Sequence, residues 1–165
     1  MSDDAYLNQS FGFRFKVPFG WVDRTEQMRE DSSEKSLLLL ATFERPPEAS
    51  GDSVNSAVVI TAENTSVYPG LKRAADYFGP LSEVVTAKGF KVVNQPYDFE
   101  VGSKQVARED FSKEIGKVTM YQSSLVTLDK GNVVSFTFLG GSQDEVDQLI
   151  ANLIFSPPSH AAAKK

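Results

Sequence analysis

His160 is the single imidazole of this chain, and it lies between Pro157-Pro158 and a terminal Ala-Ala-Ala-Lys-Lys run. General acid–base work needs a group held within hydrogen-bond reach of the proton it moves, and a tail after two prolines offers no such hold. No Gly-x-Ser-x-Gly elbow is present, so a serine hydrolase lacks the setting of its nucleophile as well as its base. The absence of cysteine removes disulfides, thiolate nucleophiles and every Cys-containing metal site. Gly140-Gly141-Ser142 stands ahead of a helical pattern, where phosphates are often cradled. Neither phosphate-binding glycine motif follows, and Asp144 and Glu145 would repel an anion there, so a structural turn is expected.

Carboxylates and aromatic rings remain. Glu26, Glu30, Asp31 and Glu34 cluster in one polar stretch, and Asp144, Glu145 and Asp147 in another. Neither set has calcium-loop spacing, and both read as solvated surface, with weak cation binding as the minor alternative. No metal, cofactor or catalytic residue is assigned. Arg14, Lys16 and Arg24 could form a small basic patch, but a solvated face is the leading reading. Asn8-Gln9-Ser10 and Asn64-Thr65-Ser66 match the glycosylation sequon, a number of matches close to chance. The chain holds twelve Phe, five Tyr and one Trp, and alternation sends most of these rings inward. Trp21 is expected to anchor the core. Phe19, Tyr68, Tyr77 and Tyr97 fall near turns or helix ends, and together they would make a partner-binding surface.

The elements that must position these residues follow from hydrophobic period. Phe11, Phe13, Phe15 and Val17 alternate with polar residues as a half-buried strand. Pro18-Phe19-Gly20 ends it, and Trp21-Val22 opens another. Glu26 to Lys35 reads as an exposed loop, Leu37 to Phe43 as a central strand covered on both faces, and Glu44 to Ser53 as a second loop. Val54 to Ala62 is a further strand. Leu71, Ala74, Ala75 and Phe78, then Leu81, Val84 and Val85, make a helical stripe broken at Gly79-Pro80, with Gly89 as its C-terminal stop. Tyr97, Phe99 and Val101 alternate, Gly102-Ser103 signals a tight hairpin into Lys104 to Phe111, and Val118 to Leu128 is a long strand that Asp129-Lys130-Gly131-Asn132 turns into Val133 to Leu139. Ser142 and Glu145 form a capping-box pattern for a last helix, whose stripe is Val146, Leu149, Ile150 and Leu153. Strands outnumber helices and hairpins dominate, so the class is α+β: a central antiparallel sheet with helices packed on it.

The run Phe11-Gly12-Phe13-Arg14-Phe15-Lys16-Val17-Pro18-Phe19-Gly20-Trp21 resembles the opening of PsbP-like domains, where an aromatic strand enters a Pro-x-Gly-Trp turn. The order of elements and the closing Leu153-Ile154-Phe155 are similar to the same family. The resemblance implies a Mog1/PsbP-type α/β/α sandwich over residues 6–156, with tails at 1–5 and 157–165. Family functions diverge, so the fold alone carries none.

At 165 residues the chain is long enough for one core without covalent staples. Net charge −5 argues against a nucleic-acid backbone as partner, and no apolar run reaches the length of a membrane-spanning helix. The acidic start resembles a cut junction, and an extracytoplasmic location is expected over a cytoplasmic one. The functional expectation is a non-catalytic binding or accessory module with a protein partner. The alternative is a small-molecule carrier or enzyme using carboxylates and tyrosines in a helix–sheet cleft.

Overall fold

A computed structural model describes residues 5–29, 36–46 and 54–155. His160, Glu30, Asp31 and Glu34 lie outside the described residues, as do the C-terminal tail and most of the Glu44–Ser53 loop. In chain order the strands are β1 (Ala5–Asn8), β2 (Phe13–Lys16), β3 (Val22–Asp23), β4 (Ser36–Phe43), β5 (Ala57–Asn64), β6 (Lys91–Val101), β7 (Lys104–Ile115), β8 (Val118–Asp129), β9 (Asn132–Gly140) and β10 (Leu153–Phe155). The helices are α1 (Thr25–Arg29), α2 (Phe78–Ala87) and α3 (Gln143–Ile150), with short 3-10 helices at Thr65–Val67 and Ala74–Tyr77.

Seven strands form one antiparallel sheet in the order β3-β4-β5-β9-β8-β7-β6, and β1-β2-β10 form a second, smaller one. Side chains alternate across the large sheet, so each strand feeds two cores. On one face Val58, Ile60, Val106, Leu125, Val134, Phe136 and Phe138 meet Phe13 and Phe15 of β2, and Val146, Leu149 and Ile150 of α3. The Phe13 ring stands edge-on to Phe136 with centroids 5.0 Å apart. On the opposite face Ala107, Val126 and Val133 receive Tyr77 and Phe78 from the 3-10 helix and α2. Helices thus cover both faces of an antiparallel sheet, an α+β fold of α/β/α sandwich type.

The period-2 strands and the hairpins at Gly102-Ser103 and Lys130-Gly131 stand as the sequence predicts. Several local expectations are corrected. Thr25–Arg29 is a helical turn, not loop, because Asp23 Oδ1 accepts from Thr25 N at 2.9 Å and from Thr25 Oγ1 at 2.6 Å and so starts it. Leu71 precedes the helical region, and Gly79-Pro80 does not interrupt α2. Pro80 falls in the first turn, where a missing N–H has no partner to lose. Val84, expected in the buried stripe, is 54% exposed. Leu153 does not extend the last helix: α3 ends at Ile150, and Leu153–Phe155 pairs with β2 as a strand. The strand β1 and the separate small sheet had no signal strong enough to be predicted. Finally, β4 is not central, since among the described residues only the two-residue β3 lies beyond it. An irregularity in its pairing between Leu38 and Leu40 lets Leu39 and Leu40 enter the same core.

The two ends of the large sheet are unlike each other. β3 is two residues long, whereas β6 runs for eleven and carries Pro96 and two register shifts between Val92 and Tyr97. No helix among the described residues is long and apolar enough to cross a membrane.

Candidate functional site

The charged triplet Arg108-Glu109-Asp110 falls in the middle of β7, and strand alternation sends its members to opposite faces. Arg108 and Asp110 share the face that carries α3. Arg108 Nε donates to Asp110 Oδ1 at 2.8 Å, and its Nη2 donates to Asp147 Oδ1 of α3 at 2.9 Å and to Ser123 Oγ at 3.2 Å. Ser123 Oγ donates to Asp110 Oδ1 at 2.6 Å, while Asn94 Nδ2 and Tyr97 Oη each donate to Oδ2 at 2.8 Å. The guanidinium lies 4.4 Å from the centre of the Phe99 ring. Burial would raise the Asp110 pKa, but these donors overcome it and hold the carboxyl below the usual range. Burial likewise opposes the Arg108 charge, and the two aspartates restore it.

Glu109 points to the other face, 1% exposed, with Ser82 Oγ of α2 donating to its Oε1 at 2.6 Å. Burial raises its pKa, the Ser82 bond opposes the rise, and the neighbouring Asp110 charge adds to it. Further along that face, Tyr68 Oη and Tyr77 Oη both donate to Glu63 Oε1, at 2.6 and 3.0 Å, and their rings meet edge-on. Burial pushes the Tyr68 hydroxyl up to about 12, and Tyr77 higher still, with the Glu63 charge acting in the same direction. Tyr97 also rises to about 12, through burial and its bond to Asp110. An acid–base catalyst needs a pKa moved toward neutrality, and all three phenols move away from it.

Of the four rings expected to share a surface, Tyr77 is 7% exposed beneath the α2 region and Tyr68 packs on it. Tyr97 belongs to the opposite face, beside Arg108. Phe19 stands apart from all three and is 96% exposed. It lies at the tip of the turn Pro18-Phe19-Gly20-Trp21, which Trp21 N closes onto Pro18 O and in which Gly20 takes a φ of +86°. The structure therefore does not bring the four together.

Both ends of that turn wall a cleft of about 280 Å³ between the two sheets, lined also by Tyr6, Val17, Asp23 and Leu40. Trp21 is half-buried at this wall, touching the core without being enclosed by it, which corrects the expectation of an interior anchor. A second cleft of about 270 Å³ lies by Tyr68, Leu71 and Pro80. Its carboxylate, Asp76, is engaged by the backbone N–H groups of Lys72 and Arg73, which hold its pKa low.

The remaining expectations separate. Arg14 and Lys16 are exposed on the outer face of β2, whereas Arg24 is half-buried. Glu145 Oε1 accepts from Gly141 N at 2.7 Å, and Ser142 Oγ accepts from Glu145 N at 3.1 Å, so the glycine turn is a helix cap. Asn8 and Asn64 each use Oδ1 to accept a local backbone N–H. Among the described residues, no three His, Asp or Glu side chains group as metal ligands. The cluster around Arg108 and Asp110 had not been anticipated, although a three-charge run inside an apolar strand is a readable sign of buried charge.

An antiparallel sheet with a helix on each face and a small strand layer beside α3 is the PsbP/Mog1-like fold. The solution structure of cyanobacterial PsbP (CyanoP) from Synechocystis sp. PCC 6803 aligns over 92% of this chain and 91% of that one, with TM-score 0.61 and 14% identity. The Saccharomyces cerevisiae Ran-binding protein Mog1p aligns over 99% of this chain and 89% of its own, with TM-score 0.52 and 12% identity. No family model and no curated protein sequence matches the chain.

Proposed function

We propose that this chain is a non-catalytic binding or accessory module that engages a protein partner through the Phe19 turn. The observation that carries this reading is the 96% exposure of Phe19. A phenylalanine left in water gives up roughly 1.5–3 kcal/mol of burial free energy, and a docking partner recovers it. The turn bridges the two sheets and is closed by its own hydrogen bond, so the ring is presented without the ordering cost of a floppy loop. The buried ionisable groups support the same reading, because each is bonded to structural neighbours and the phenols titrate far from neutrality. The fold similarity to a Ran-binding protein and to cyanobacterial PsbP is compatible with a binding role and supplies no residue for it.

The test compares wild-type protein, F19S and the remote surface variant V84S as baits in an extract of the source organism, followed by titration of any captured partner in purified form. A partner that binds wild type and V84S saturably and F19S at least tenfold more weakly supports the reading. Equal binding by F19S, or no saturable partner at all, overturns it. Phe19 makes no core contact, so F19S melts with the wild type.

A further inference from the structure

We infer that the cleft beside the Phe19 turn receives a basic side chain, lysine or arginine, from the protein partner. The inference rests on the binding reading above and assigns its chemistry. The cleft is the open end of the space between the sheets: Tyr6 and Val17 come from the small sheet, Leu40 and Asp23 from the large one, and Pro18 and Trp21 from the turn between. At about 280 Å³ it falls just under the ~300–1,000 Å³ typical of small-molecule sites and suits one long side chain.

The lining sets the charge. Asp23 is the one charged side chain among the described residues of the wall, and no described Lys or Arg lies within ion-pair distance of it. Its Oδ1 is occupied by the Thr25 amide and hydroxyl, and no bond among the described residues engages Oδ2. The Asp76 carboxylate of the other cleft, by contrast, has both oxygens engaged, Oδ2 by the backbone amides of Lys72 and Arg73 and Oδ1 by the Arg73 guanidinium at 3.9 Å. Two aromatic residues, Tyr6 and Trp21, also line the wall, and Ala5 and Thr42 complete it. Aromatic faces with a carboxylate attract ammonium and guanidinium groups, Trp most strongly, while the methylene stem of a basic residue matches Val17, Pro18 and Leu40. An acidic side chain would meet Asp23 with like charge. The net charge of −5 favours the approach of a basic segment in the same sense. Phe19, on the turn that forms the wall, then offers an apolar contact beside the cation.

Trp21 is the only tryptophan, so its indole reports on this cleft alone. Nα-acetyl-lysine amide and Nα-acetyl-arginine amide are titrated into the full chain at constant ionic strength, following the Trp21 indole N–H resonance and fluorescence. Nα-acetyl-norleucine amide and Nα-acetyl-glutamine amide serve as uncharged probes. Saturable shifts with the two basic probes are expected, at least fivefold weaker for both uncharged probes, and at least fivefold weaker for the basic probes with D23N. Asparagine keeps the Oδ1 acceptor that starts α1, so D23N retains the fold, as a thermal melt verifies. Equal response to norleucine, an unaffected D23N, or no saturable response to either basic probe overturns the inference. Loss of partner binding by F19S together with any of those results leaves the Phe19 reading standing and removes only the basic-residue assignment.

Discussion

The Arg108 guanidinium and the Asp110 carboxylate, two residues apart on one face of β7, form a 2.8 Å ion pair almost wholly out of water. A buried pair adds little over a well-packed apolar pair, because desolvation cancels much of the attraction, but breaking it strands a charge. R108M is therefore expected to lose about 3–5 kcal/mol in urea unfolding. A small effect of R108M alone would mean that Ser123, Asn94 and Tyr97 suffice to hold Asp110.

Glu109 and Asp110 respond to pH in opposite senses. The folded pKa of Glu109 is raised, so the stability it contributes is full below the ordinary glutamate value of about 4.3 and is lost as pH rises through the folded value. The folded pKa of Asp110 is lowered, so its contribution is present at neutral pH and is lost as pH falls. E109Q keeps an Oε1 for Ser82 and removes the charge. It should match wild type near pH 4 and exceed it at pH 8 in urea unfolding; a pH-independent difference would contradict this.

Tyr68 and Tyr77 share one acceptor on Glu63, so either can satisfy it when the other is gone. Y68F and Y77F are each expected to cost about 0.5–1.5 kcal/mol, and the double variant more than the sum. Additive losses in a thermal or denaturant cycle would show that the two bonds act independently.

Gly89 ends α2 with a φ of +99°, and a Cβ placed there would lie 3.1 Å from Lys113 Cε. Lys113, whose Nζ donates to Lys88 O at 2.6 Å, would have to give by a few tenths of an ångström, and the positive φ strains any side chain placed there. G89A should cost about 1–3 kcal/mol, measured by equilibrium unfolding. A neutral outcome would require the helix to end one residue earlier.

Gly89 was legible in the sequence for the same reason that it is sensitive: only glycine takes that backbone conformation cheaply. The strict alternation of Phe13–Lys16 was equally plain, because one buried face forces period two. α1 was hidden because its five residues are held by a side-chain cap from Asp23 and not by an apolar stripe. Leu153 fitted a helical spacing by coincidence, and pairing with Phe15 overrode it. For the site, the type of residue was readable but its depth was not. Tyr68, Tyr77 and Tyr97 are amphipathic, and whether a phenol faces water or a buried carboxylate depends on partners such as Glu63 and Asp110, which lie five to fourteen positions away. Phe19 was grouped with these tyrosines by the sequence and is set apart by its exposed place at the tip of its turn.

The contrast between β3 and β6 bears on how the protein behaves when crowded against copies of itself. A long, regular outer strand is a template on which a further chain can hydrogen-bond and begin a fibril. Here one margin is only two residues long, and the other is broken by Pro96 and its displaced register, so neither presents an uninterrupted ladder. Both interruptions work against cross-β templating along the margins of the large sheet.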